Sequence, residues 1–186
     1  MKPFIFFVIL ISSFACREMD LDVFDPSIFY EVNARIYPGY GIDGVLLGHS
    51  PAKVKDILGE PSSIFNWDAV NDGGIGESYD TPKHKGLSVY YSQDANNFNI
   101  TFVQSIIVKD GYDGKTKEGI GIGSPVDEVI KYYGEPNKRV INTEKHHFDL
   151  YCINSRQFSI GYLDNKIVSI SIHGYLQREG DIILCK

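Results

Sequence analysis

The stretch Val45-Leu46-Leu47-Gly48-His49-Ser50-Pro51-Ala52 comes nearest to reaction chemistry. An apolar run followed by Gly-x-Ser-x-small lifts a serine onto a sharp strand-to-helix turn, where its hydroxyl can attack an acyl group. In that arrangement the residue after the serine donates a backbone N–H to the oxyanion. Here that residue is Pro51, which has no N–H. A serine capping a helix, with proline at the first helical position, explains the same residues without chemistry. A small serine hydrolase using Ser50 is therefore the least favoured reading, and no catalytic residue is assigned.

Other candidates fail on spacing. Asn71-Asp72-Gly73-Gly74-Ile75-Gly76 is glycine-rich but lacks the Gly-Lys-Ser/Thr of a phosphate loop, so it reads as a surface loop. Asp110-Gly111-Tyr112-Asp113-Gly114 lacks the acidic spacing that ends in a bidentate glutamate, and reads as a turn. His146 and His147 are adjacent, so on a strand they point to opposite faces, and His49, His84 and His173 are scattered. No metal site and no cofactor are expected.

The formal charge of −6 and a pI near 5.3 leave no basic patch for phosphates, which argues against a nucleic-acid partner. The chain opens with one Lys and an apolar run, Phe4 to Ile11, far short of the roughly 20 residues that span a bilayer. Ser13-Phe14-Ala15-Cys16 resembles the lipobox of bacterial lipoproteins, although Phe14 stands where a small residue is usual. The resemblance implies a signal peptide over 1–15, lipidation at Cys16, a tether over 16–26 and attachment to a membrane. Arg17, in place of a retaining Asp, implies the outer membrane, facing the periplasm. Export also permits a bridge between Cys152 and Cys185, closing a loop that stabilises by roughly 3–4 kcal/mol. Two buried free thiols are the alternative.

The elements that must position these residues are announced by two matching stretches, Gly48 to Pro61 and Gly123 to Pro136. Each reads as a short helix, with Ser50-Pro51 or Ser124-Pro125 at the start and Gly59 or Gly134 at the end. Strands are expected at Ser27–Tyr37 and Ile64–Trp67, then at Leu87–Tyr91, Phe98–Val103 and Ile106–Lys109. Others are expected at Arg139–Asn142, Phe148–Ile153, Phe158–Leu163, Ile167–Ile172 and Ile182–Leu184. Phe98, Ile100 and Phe102, like Phe158, Ile160 and Tyr162, should face the helices. Gln104-Ser105 and the stretch around Asp164-Asn165 read as turns, and Asp68 to Lys85 as a long loop. The expected fold class is α+β: a tandem repeat of short helix plus antiparallel strands, over 27–118 and 119–186, in one compact domain.

The chain holds 12 Tyr and 11 Phe, more than that core face needs. Aromatics that reach solvent supply rigid contact area. Trp67, Tyr90, Tyr112 and Tyr151, with Asn99 and Thr101 on the polar side of the sheet, are the candidate protein-binding residues.

The doubled signature of Gly48, Gly59, Pro61 and Gly123, Gly134, Pro136, over about Gly41 to Ile172, resembles the β-lactamase-inhibitor-protein-like superfamily. That group includes the SmpA/OmlA lipoproteins of outer-membrane assembly. The resemblance implies helices on one face of an antiparallel sheet and a partner protein on other surfaces. The expected function is a lipid-anchored envelope protein-binding module, an inhibitor or immunity-type lipoprotein. An assembly or scaffolding lipoprotein is the alternative.

Overall fold

Strands, with little helix, set the architecture. The computed structural model describes residues 34–67, 74–93 and 100–174, with backbone only at 67, 93, 100 and 101. The described residues belong to one compact unit. The chain runs β1 (Ile36–Tyr37), β2 (Gly41–Ile42), β3 (Val45–Leu46), α1 (Pro51–Leu58), β4 (Ser63–Trp67), β5 (Gly74–Tyr79), β6 (Leu87–Gln93) and β7 (Ile100–Lys109). It continues through α2 (Val126–Tyr133), β8 (Lys138–Ile141), β9 (His146–Ile153), β10 (Arg156–Leu163) and β11 (Lys166–His173). Strands β1 to β3 form a small sheet, and the other eight form one antiparallel sheet in the order β4-β5-β6-β7-β11-β10-β9-β8.

This corrects the expected α+β tandem repeat of helix plus strands. The described residues are mostly β, and the two helices among them are eight residues each. They contribute Val54, Leu58 and Val129 to a core built mostly from the strands: Leu87, Val89 and Tyr91 on β6, Phe158, Ile160 and Tyr162 on β10, Ile170 and Ile172 on β11. Each such side chain contributes about 1.5–3 kcal/mol when fully buried. The sheet therefore carries the fold, and a helix signature read locally overstates the helices' share.

The two helix starts also differ. Ser50 Oγ accepts the Lys53 N–H at 3.3 Å and caps α1. Ser124 instead accepts the Gly121 N–H at 3.1 Å, outside the helix, and Pro125 takes the cap position of α2 without a side-chain bond. Both helices end as expected at Gly59 and Gly134, whose φ of 83° and 76° glycine alone adopts without strain.

The long loop expected over Asp68 to Lys85 contains β5, paired along β4 and β6. Its polar and glycine content hid it. The expected turn at Gln104-Ser105 is a bulge inside one continuous ten-residue strand, β7. Tyr90 pairs with Ser105 but Tyr91 with Val103, so Gln104 is the extra residue. The bulge reverses the side-chain phase before it. Val103 is buried beside Ile106 and Val108, while Phe102, expected to face the helices, is 47% exposed on the other side. Asp164-Asn165 makes the expected turn, with φ of 50° and 61°, and Asn154-Ser155 makes a second of the same kind. Most of the strand expected at Ser27–Tyr37, and that at Ile182–Leu184, lie outside the described residues.

Candidate functional site

Both helices pack on one face of the large sheet. Val54, Leu58 and Val129 share a cluster with the buried strand residues, and the Tyr133 ring meets Tyr151 at 6.0 Å and Phe158 at 5.6 Å. The opposite face carries no described helix. Cross-strand pairing lays its residues in rows. One row runs Phe65, Gly76, Tyr90, Ser105, His173, Gln157, Cys152. The next, crossing all eight strands, runs Ser63, Ser78, Ser88, Ile107, Ser171, Ser159, Leu150, Lys138.

Serine sets the chemistry of this face. Ser78 and Ser88 share a hydrogen bond at 3.1 Å, and Ser159 and Ser171 another at 2.6 Å. His173 joins both rows, with Nδ1 2.9 Å from Ser105 Oγ and Nε2 2.9 Å from Ser171 Oγ. Burial without a charged partner lowers its pKa from 6.5 to about 4, so the ring is neutral near pH 7. Uncharged hydroxyls on short side chains fill the centre of the sheet, where Ser105 and Ser159 are buried at 7% and 6% exposure.

Aromatic and aliphatic groups stand higher at its ends. The Phe65 and Tyr90 rings meet edge to face at 5.7 Å across Gly76, and Phe102 projects nearby on β7. At the other end Phe148 leans over Gly161 and meets His146 at 4.8 Å, beside Val140 on β8. Leu163, paired with His146, is 46% exposed.

Of the expected contact residues, Tyr90 lies on this face, half-buried. Tyr112 and Tyr151 do not offer contact area, because they are buried at 4% and 3% exposure. The Arg35 guanidinium lies 4.9 Å from the Tyr112 ring centre, and Tyr151 packs against Tyr133 and Phe158. Burial raises both phenols, that of Tyr151 to about 12. Trp67 and Thr101 have backbone placement only, and Asn99, Cys16 and Cys185 lie outside the described residues. Cys152, in the first row, is disulfide-bonded. Phe102 and Ser105 went unrecognised in the sequence because the bulge sets the phase of β7, and Phe65 and His173 because cross-strand register brings them into this row.

Several charged groups away from this face are tied up in structure. Asp43, its side chain 4% exposed, takes Arg35 at 2.6 and 2.9 Å and His84 Nδ1 at 2.7 Å. Arg35 also reaches Asp113 at 2.5 Å and the carbonyl of Lys83. Asp149, fully buried, takes Arg139 at 2.6 and 2.8 Å. Glu77 accepts hydrogen bonds from Tyr79 at 2.8 Å and Tyr91 at 2.5 Å. His49 accepts the Leu46 N–H through Nδ1 at 3.2 Å, so Ser50 and His49 each bond to backbone. Among the described residues no three His, Cys, Asp or Glu side chains are grouped to hold a metal.

No family model matches the chain, and no curated protein matches it. Three solved structures do, at low identity. A DUF4309 family protein from Bacillus subtilis matches with a TM-score of 0.48 and 12% identity over 74% of this chain and 88% of that one. An extracellular protein containing an SCP domain, from Bacillus anthracis, matches with a TM-score of 0.45 and 14% identity over 68% of this chain and 43% of that one. A candidate β-lactamase inhibitor protein from Streptococcus mutans matches with a TM-score of 0.29 and 12% identity over 77% of this chain and 91% of that one. The likeness is weak. It assigns no site residue, so the geometry above stands on its own.

Proposed function

We propose that this protein is a protein-binding module of the bacterial cell envelope, and that it receives its partner on the face of the large sheet opposite α1 and α2. One observation carries the reading: the serine row crosses every strand of that face, and exposed Phe102, Val140 and Leu163 stand above it at the ends. Exposed apolar groups set far apart across a broad sheet face fit a folded protein surface better than a small molecule, which needs an enclosing pocket. We further propose an inhibitor or immunity-type role, with the chain held at the outer membrane through acyl groups on Cys16. Among the described residues no helix is long and apolar enough to cross a membrane.

The test is cross-linked pull-down from envelope extracts with the wild-type chain and with Phe102→Ala, alone and combined with Leu163→Ala. Exposed truncations of this kind change stability by roughly 0.5 kcal/mol or less, so lost capture reports contact and not unfolding. Loss of one stoichiometric partner is expected. Capture unchanged in the folded double variant sinks the reading. A captured enzyme or toxin favours the inhibitor role, and barrel-assembly components favour the scaffold. Palmitate labelling abolished by Cys16→Ser tests the anchor.

A further inference from the structure

Among the described residues no strand pairs with the outer side of β4 or of β8, and the β8 edge carries exposed apolar groups on both faces. Val140 is 36% exposed on the side opposite α1 and α2, and Ile141 is 70% exposed on their side. A bare edge strand with apolar groups on both faces is a template for another strand. The ladder fixes which backbone groups are available. The Asn142 N–H bonds the His146 carbonyl, and register along β8–β9 alternates from there. Lys138 and Val140 therefore turn their amide groups toward β9, while Arg139 and Ile141 turn theirs outward.

We propose that a second copy of this chain docks here, β8 against β8 in antiparallel register, with Val140 opposite Val140 on the two-fold axis. Directly opposed residues in an antiparallel pair share a face, so the axis must pass through a residue and not between two. Centred on Arg139, the pairing sets two guanidinium groups opposite each other. Centred on Val140, it sets Arg139 opposite Ile141 and Lys138 opposite Asn142, with no like charges facing. Each Arg139–Ile141 pair then exchanges both of its backbone hydrogen bonds, using every outward group of the strand. Arg139 arrives already neutralised by Asp149 at 2.6 Å. The two-fold closes the assembly at two copies, whereas pairing β8 to the far edge, β4, would propagate without end. The contact shares Val140 with the proposed partner-binding face, but Phe102 and Leu163, which test that face, lie outside β8, so the two proposals fail in different experiments.

The geometry gives a sharp test. Val140 and its mate form a non-hydrogen-bonded pair, with α-carbons about 4.5 Å apart, within reach of a disulfide. The full chain in detergent is oxidised as wild type and as Val140→Cys, Lys138→Cys and Ile141→Cys, then run without reductant. A covalent dimer above the wild-type background is expected for Val140→Cys alone. In sedimentation across micromolar to millimolar concentration, the wild type is expected to associate to a dimer. Val140→Lys, which opposes two ammonium groups on the axis, is expected to stay monomeric. The proposal is overturned if folded Val140→Cys yields no dimer, if Ile141→Cys or Lys138→Cys cross-links as well, or if the wild type stays monomeric throughout. Open-ended species larger than a dimer overturn it too, since they indicate β4–β8 pairing.

Discussion

The Phe65 ring lies directly over Gly76, so that a β-carbon built on Gly76 would stand 2.4 Å from its Cζ. The pair sits on neighbouring strands in register, and the ring shields backbone that glycine leaves bare. Gly76→Ala is expected to cost about 1–3 kcal/mol, the range for overpacking, as read from the urea midpoint. Adding Phe65→Ala should restore part of that loss. Strict additivity of the two would show that the ring and the glycine do not constrain each other.

Asp43 joins the β2–β3 turn to Arg35 and His84 from inside the protein. Asp43→Ala leaves a guanidinium with one acceptor fewer and a buried imidazole unpaired. The expected cost is about 3–5 kcal/mol, as for breaking a buried pair by removing one partner. Thermal melting checks it. A loss smaller than that of a typical surface substitution would mean the cluster is only decorative.

His173 gives an acid limb to the stability curve. Its pKa in the fold is lowered from 6.5 to about 4, so between those values the unfolded chain takes up a proton that the folded chain refuses. Stability is full above pH 6.5 and declines as pH falls toward 4, by at most about 3 kcal/mol from this group. His173→Gln, which keeps a donor and an acceptor for Ser105 and Ser171, should flatten that part of the curve. An unchanged slope in the variant would assign the limb to other groups.

Cys152 is disulfide-bonded, and Cys185 is its proposed mate. Non-reducing peptide mapping should recover the two in one fragment. Cys152→Ser should then lower stability by roughly 3–4 kcal/mol, the loop-closure value for a crosslink of this span. Recovery of Cys152 linked to Cys16 would refute the pairing and remove the site for lipidation.

What the sequence could express was local. Pro51 and Ser50 mark the start of α1, and Gly59 and Gly134 mark the helix ends, because conformational limits act on the residue itself. The alternation in Phe158, Ile160 and Tyr162 likewise survives, since β10 keeps its pairing with β9 throughout. What failed depended on neighbours distant in the chain. Gln104 looks like a turn until Tyr90 and Tyr91 are placed opposite, and β5 looks like a loop until Phe65 covers Gly76. Tyr112 and Tyr151 are amphipathic enough for solvent or interior, and Arg35 and Tyr133 decide the matter. The candidate face was illegible for the same reason, because its rows exist only across strands.

The junction of β7 with β11 sits at the middle of the large sheet, and its Ser105–His173 contact spans 68 residues of chain. Contacts that distant in sequence are slow to form, since the entropy of loop closure comes due before any reward. A nascent chain ending short of Ser169 would hold β7 with its second edge vacant and Ile106 and Val108 without their β11 neighbours. Maturation of this sheet is consequently a late, nearly all-or-none event, and a truncation that removes β11 should leave the earlier strands prone to clumping, not stably half-built.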